Sequence, residues 1–262
     1  MTIPNPNELL EIAEEAARTA AGERRARFGE NAAGVRSKST PTDLVSDADL
    51  AAEAAIREVI ERHRPDDAII GEEGGETGAG ELRWIVDPLD GTVNYLFGIP
   101  LFAVSIACEN ASGTLVGVVL DPLRDECFTA TRGGAAEMNG RPIAASGGEE
   151  LATAMVATGF AYDSSLRERQ AAIVSHVLPR VRDIRRAGAA ALDLCWSACG
   201  RYDAYYERGL HEWDLAAGAL IAQRAGLVVR RLPGSDAEPW GVVVAPQALI
   251  DELYELVSAT GE

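Results

Sequence analysis

Apolar and small residues recur at Leu9, Leu10, Ala13, Ala16, Ala17 and Ala20, a spacing of three and four that predicts an amphipathic helix ending near Gly29. A second helix is predicted to open at Ser46 or Asp47, either of which can cap it, and to stop before Pro65. Its expected inner face is Leu50, Ala51, Ala54, Ile56, Val59 and Ile60. Between the two, Ser37 to Val45 is too polar and too broken for a helix and reads as a loop or a short hairpin. From Ala68 the pattern turns to strands: Ala68 to Ile70, Leu82 to Val86, Phe102 to Glu109, Thr114 to Leu120 and Glu126 to Thr131, with tight turns at Ser112-Gly113 and Asn139-Gly140. Such a run after two helices predicts a largely antiparallel sheet packed against helices.

Ser146-Gly147-Gly148-Glu149-Glu150 is the best candidate for an internal boundary. Beyond it, strand-like runs at Ala154 to Thr158, Ala204 to Tyr206, Leu227 to Val229 and Val242 to Val244 alternate with helical stretches near 165–178, 189–199, 213–225 and 246–258, an α/β style. The chain is near the length at which one core divides, so two closely packed subdomains are expected, 1–145 (α+β) and 146–262 (α/β).

Asp and Glu outnumber Lys and Arg by 41 to 24. That balance repels polyanions, so nucleic acid is not an expected partner, and a phosphorylated substrate would need local cations. No window holds the ~18 uninterrupted apolar residues of a spanning helix. The start, Met1 to Pro6, lacks a basic region followed by an apolar one, so no membrane partner is expected and the expected location is the cytoplasm. Cys108, Cys127, Cys195 and Cys199 form no C-x-x-C pair and read as buried free thiols.

Acidic residues stand just past short apolar runs or at a helix start: Glu72-Glu73 after Ala68 to Gly71, Asp87 and Asp90 after Trp84-Ile85-Val86, and Asp214 after Trp213. Carboxylates at strand ends can converge, and four well-placed acids could hold two Mg²⁺ ions that clamp a phosphate ester. Asp87-Pro88-Leu89-Asp90-Gly91 is equally the composition of a plain turn. Gly91 and Thr92 would open a helix, with glycine letting the backbone come close to a phosphate.

The chain resembles the inositol monophosphatase family of Mg²⁺-dependent, lithium-sensitive sugar phosphatases along nearly its whole length. Gly71-Glu72-Glu73, Trp84 through Thr92 with Asn94, and Trp213 to Gly218 carry the resemblance most strongly. Weaker matches are Lys38 to Val45 with Asp49, and Asp203 to Glu207 with His211. The resemblance implies a layered αβαβα sandwich, with most metal ligands in 1–145, and Asp214 and the alcohol site in 146–262. It further implies two to three Mg²⁺ ions: one on Glu72, Asp87 and the Leu89 carbonyl, a second on Asp87, Asp90 and Asp214, and a weaker third on Glu72. Thr92, supported by Asp49, would orient the water that the first ion and Glu72 activate, while the second ion stabilises the departing oxygen. The alcohol would meet Asp90, Asp214, Glu207 and the backbone around Gly188, Ala189 and Ala190, with Gly91 and Thr92 at the phosphate.

The implied substrate is a small phosphorylated polyol, myo-inositol 1-phosphate first, with fructose 1,6-bisphosphate, histidinol phosphate and 3′-phosphoadenosine 5′-phosphate as alternatives. A homodimer is implied, as is a possible second role as an interaction protein of the transcription machinery. Glu207 also reads as a solvated surface acid, His211 as structural, and Lys38 as a loop residue near the third ion or phosphate, or simply solvated. Arg180, Arg182, Arg185 and Arg186 read as a local basic cluster: a solvated face, or one facing a charged substrate or another subunit. Gly74-Gly75 replaces the Ser or Thr common after the acidic pair and is expected to loosen that loop.

Overall fold

In a computed structural model of the chain, residues 5–29, 35–37, 44–45, 47–235 and 238–258 are described. Helix α1 covers Pro6–Arg27; Asn5 caps it by accepting the Asn7 N–H at 3.1 Å, and Pro6 fills the first turn, where no N–H is needed. Leu9, Ala13, Ala16, Ala17 and Ala20 are buried, joined by Ile12 and Arg24, while Leu10 lies partly out. Arg36–Ser37 pairs antiparallel with Leu44–Val45, a short hairpin whose connecting residues, Lys38 to Asp43, lie outside the described residues, as does Ser46.

Helix α2 covers Asp47–His63 and ends just before Pro65. Its inner face corrects the sequence expectation, because Leu50, Ala51 and Ala54 are exposed and the buried side is Asp49, Ala52, Glu53, Ile56, Val59 and Ile60. An apolar count skips the two carboxylates that belong to that face. Both are paired: Asp49 with Arg24 and Glu53 with Arg57.

Eight strands make one sheet, in the spatial order Arg141–Pro142, Ala136–Met138, Glu126–Thr131, Gly113–Asp121, Ala103–Asn110, Arg83–Asp90, Ala68–Gly71, Gly75–Thr77. Only Ala68–Gly71 beside Arg83–Asp90 is a parallel pair. Side chains alternate across it: Trp84, Val86, Val104, Ile106 and Val118 pack under α1 and α2, whereas Ile85, Ala107 and Val119 face the opposite way. Arg83–Asp90 leads directly into a short helix, α3, at Thr92–Leu96.

The remaining helices are α4 (Ser164–Val177), α5 (Ala190–Ala198), α6 (Glu212–Arg224) and α7 (Ile250–Ser258). A second sheet of five strands runs Asp183–Arg185, Met155–Thr158, Ala204–Arg208, Gly241–Ala245, Val228–Leu232. Its first three strands are parallel and its last two pairings antiparallel. Helices α5 and α6 lie between the sheets, in one apolar core with Ile85 and Val119 on one side and Ala157, Tyr205 and Val244 on the other. Ile173 and Val177 of α4 and Leu253 and Val257 of α7 cover the outer face of the smaller sheet. The order of layers is therefore αβαβα.

The arginine run does not form one patch. Arg180 pairs with Glu252 at 2.9 Å, Arg182 donates to the Thr153 carbonyl at 2.7 Å, and Arg185 pairs with Asp183 on the edge strand. Arg186 turns instead into the cleft described below.

Candidate active site

Ile85 faces α5 and α6, and alternation along the strand puts Asp87 on the same side. Opposite Asp87, Ser105 donates its hydroxyl to the Trp213 carbonyl of α6 at 3.1 Å, which ties the strand end to that helix. Pairing with Ala103–Asn110 is irregular between Asp87 and Asp90, where Pro88 offers no N–H and an Asp87 oxygen accepts the Leu89 N–H at 2.8 Å. The turn-like composition therefore produces a strand that bends without ending. Gly91 follows at φ +94°, a left-handed conformation that suits glycine, and a Cβ there would stand 3.1 Å from the Leu101 carbonyl oxygen. Thr92 then begins α3, and its hydroxyl donates to the Leu89 carbonyl at 3.0 Å.

Two further elements close on this strand end. Asp90 accepts the N–H groups of Ala190 and Ala191 at 3.1 and 2.8 Å, capping α5 from about a hundred residues away. Asn94 holds the preceding turn by donating to the carbonyls of Leu101 and Ala187, both at 2.9 Å, and Gly188 and Ala189 are thereby set beside Asp90. Asp214 lies in the first turn of α6 and accepts the His211 N–H at 2.6 Å, while the His211 ring stacks on Trp213 with centroids 4.8 Å apart. His211 thus shapes the start of α6. Glu207 shares the inward face of Ala204–Arg208 with Tyr205, whose hydroxyl donates to it at 2.7 Å. It lines the cleft and is no surface acid.

These groups surround one cleft of about 500 Å³, lined among others by Glu72, Asp87, Asp90, Thr92, Glu207 and Asp214. Burial drives the Asp87 carboxyl well above its ordinary range, and Glu72, Asp90 and Asp214 add to the push. Asp90 is raised by burial and by Asp214 against the two N–H groups that favour its ionised form. Burial also lifts Glu207 from 4.5 to about 7, opposed by the Tyr205 hydroxyl. One oxygen each of Asp87, Asp90 and Asp214 lie within 4.8 Å of one another. Carboxylates this close, two of them buried and the third half-buried, repel, and hard oxygen donors without nitrogen or sulfur suit a hard divalent cation, so the donor set can coordinate one.

Of the expected site residues, Glu72, Asp87, Leu89, Asp90, Gly91, Thr92, Gly188, Ala189, Ala190, Glu207 and Asp214 line this cleft. Asp49 sits behind it, buried, accepting from Arg24 at 3.0 Å, and the Thr92 hydroxyl donates to the Leu89 carbonyl. Lys38 lies outside the described residues. Sequence reasoning did not single out Asp193 of α5, which is buried with neither carboxylate oxygen hydrogen-bonded. Burial, with Glu207 and Asp90 nearby, pushes its carboxyl well up. It also blurred Arg186, which stands over the Phe160 ring at 5.8 Å. An acid inside the apolar run Ala189 to Cys195 was the available signal for Asp193. Gly74-Gly75 does not loosen the acidic loop, since Gly74 donates its N–H to Glu53 at 2.9 Å and Arg57 donates to the Gly75 carbonyl at 2.6 Å.

The profile of the inositol monophosphatase family matches residues 5–261. An inositol-1-monophosphatase SuhB of Mycobacterium tuberculosis is 42% identical over 275 residues, covering 97% of this chain and 95% of that protein. A Pseudomonas aeruginosa protein named Nus factor SuhB is 47% identical over 204 residues, covering 74% of each. The crystal structure of the extragenic suppressor protein SuhB from Bartonella henselae aligns with a TM-score of 0.89 at 34% identity, covering 96% of this chain and 99% of that one.

Proposed function

This chain belongs to the inositol monophosphatase family, and from that premise we propose that it is a Mg²⁺-dependent phosphomonoesterase hydrolysing myo-inositol 1-phosphate and related polyol phosphates to the alcohol and inorganic phosphate. The observation that carries this reading is the meeting of Asp87, Asp90 and Asp214, from a strand and a helix far apart in sequence, within 4.8 Å. Mg²⁺, when bound, supplies Lewis acidity that offsets phosphate charge and lowers the pKa of water. Glu72, Asp87 and the Leu89 carbonyl are the proposed holders of one ion, Asp87, Asp90 and Asp214 of a second, and Glu72 of a weaker third.

The chain's own groups supply position. Thr92 has its proton committed to Leu89, so its oxygen presents lone pairs that can accept a hydrogen bond from the attacking water and aim it. When the Leu89 carbonyl serves as a ligand, the Thr92 proton needs another acceptor, the role the family pattern gives to Asp49. Glu72 takes the water's proton in this scheme. Gly91 and Thr92 bring backbone close to the phosphate. Glu207, Asp90, Asp214 and the backbone at Gly188, Ala189 and Ala190 receive the polyol, whose hydroxyls satisfy buried acceptors that would otherwise cost roughly 1–3 kcal/mol each.

Phosphate release from a panel holding myo-inositol 1-phosphate, fructose 1,6-bisphosphate, histidinol phosphate and 3′-phosphoadenosine 5′-phosphate tests this. Fastest turnover is expected on the inositol ester, and Asp87→Asn is expected to lose it. An inactive wild type at millimolar Mg²⁺ would overturn the reading. The same proposal includes inhibition by lithium and a homodimer, checked by adding lithium to the assay and by the mass in solution. The relative named Nus factor SuhB favours a second role, binding to the transcription machinery. Partner capture retained by Asp87→Asn would establish that role as separate from turnover.

A further inference from the structure

Glu72 stands in the turn that joins Ala68–Gly71 to Gly75–Thr77. A turn of acidic residues and glycine has no stiffness of its own, yet its N–H groups are all engaged. Glu72 donates to the Val86 carbonyl at 3.3 Å, and Glu73 and Gly74 donate to the two carboxylate oxygens of Glu53 at 2.7 and 2.9 Å. Glu53 is 2% exposed and comes so close that a Cβ on Gly74 would stand 2.6 Å from its oxygen, and one on Gly71 would collide with it. Glycine at these places lets the carboxylate in.

Arg57, one helical turn further along α2, completes the arrangement. Its Nε donates to Glu53 at 2.8 Å, and its two terminal nitrogens donate to Thr77 Oγ1 at 2.8 Å and the Gly75 carbonyl at 2.6 Å. The planar guanidinium therefore fixes Glu53 and the far side of the hairpin together.

We propose that Glu53, braced by Arg57, is a positioning residue for the cation site: it clamps the backbone of the turn so that Glu72 is held in the cleft with Asp87 before the cation arrives. Neither residue lines the cleft. The inference rests on the reading of Glu72 as a cation ligand. A held ligand loses less conformational freedom on binding, and partners that orient ligands typically change metal affinity about 10–100-fold.

The sign of the Arg57 effect separates the clamp from a plain field effect. Removing a positive charge near an acidic site should tighten cation binding by electrostatics alone, whereas releasing the turn should weaken it. The test is Mg²⁺ titration by calorimetry of the chelator-stripped full chain, with its melting temperature recorded, for wild type, Glu72→Gln, Glu53→Gln, Arg57→Ala and the Glu72→Gln/Arg57→Ala pair. Arg57→Ala is expected to weaken Mg²⁺ about 10-fold or more, to lower the melting temperature because the buried Glu53 loses its cation while the stripped chain stays folded at the temperature of the titration, and to add nothing in the Glu72→Gln background. Glu53→Gln should weaken binding in the same direction. Unchanged or tighter binding in Arg57→Ala, or full additivity with Glu72→Gln, overturns the clamp. If Glu72→Gln itself binds Mg²⁺ as wild type does, the ligand reading of Glu72 fails instead.

Discussion

Glu207 carries the most directly testable electrostatics. Its folded pKa, about 7, lies above its ordinary 4.5, so between those values the folded chain holds a proton that the unfolded chain has released. The stability this group contributes is fully present below about pH 4.5 and is lost as pH rises through about 7. Glu207→Gln is predicted to flatten this part of the melting profile of the metal-free protein and to raise stability at pH 8, by up to ~3 kcal/mol. Melting curves across that range check it; parallel profiles for the two proteins would contradict it. Asp87→Asn has two opposite effects for the same reason. Phosphate release should fall by at least about a thousandfold, while the metal-free protein gains roughly 0.5–2 kcal/mol because a buried, mutually repelled carboxylate is gone.

At the scale of elements, α6 delivers Asp214 and must lie close on the sheet to do so. Gly117 makes that possible, since a Cβ there would stand 2.8 Å from the Ala217 carbonyl oxygen. Gly117→Ala is predicted to push α6 outward, costing about 1–3 kcal/mol of stability and weakening Mg²⁺ binding although residue 117 is not in the cleft. A lower melting temperature with unchanged Mg²⁺ affinity would contradict the second half. Elements with long periodic patterns were legible in sequence: α1, α6 and the central strands fall where the apolar spacing puts them. Helix α2 was legible as a helix, but its buried side was not, because Asp49 and Glu53 earn burial through partners that sequence does not reveal. Short strands such as Gly75–Thr77 and Asp183–Arg185 carry no apolar alternation and exist because a neighbouring strand pairs with them. The acidic residues that meet in the cleft were legible through motifs, whereas Arg186 and Asp193 acquire meaning only when α5 is brought against Asp90.

For the whole molecule, the cleft gathers carboxylates in a chain whose formal net charge is already −17. Burying repelling groups makes the metal-free protein less stable than its cores would allow, and a cation binding only the folded state returns that stability. Mg²⁺ at a hundredfold above its dissociation constant is predicted to add ~2.7 kcal/mol, a rise of about 5–10 °C in melting temperature for a chain this long. Monovalent salt at matched ionic strength should give a smaller rise, since it screens surface charge and does not enter the carboxylate cluster. Equal rises would mean that the cluster holds no specific ion.

In the proposed function, the carboxylates of Asp87, Asp90 and Asp214 make this chain a cation-dependent phosphatase. The decisive measurement is phosphate release from myo-inositol 1-phosphate by the chelator-stripped protein, before and after Mg²⁺ is returned. No release is expected in chelator and full turnover once millimolar Mg²⁺ is restored; release that persists in chelator, or none with Mg²⁺ present, would mean that these carboxylates do not make the chain a cation-dependent phosphatase.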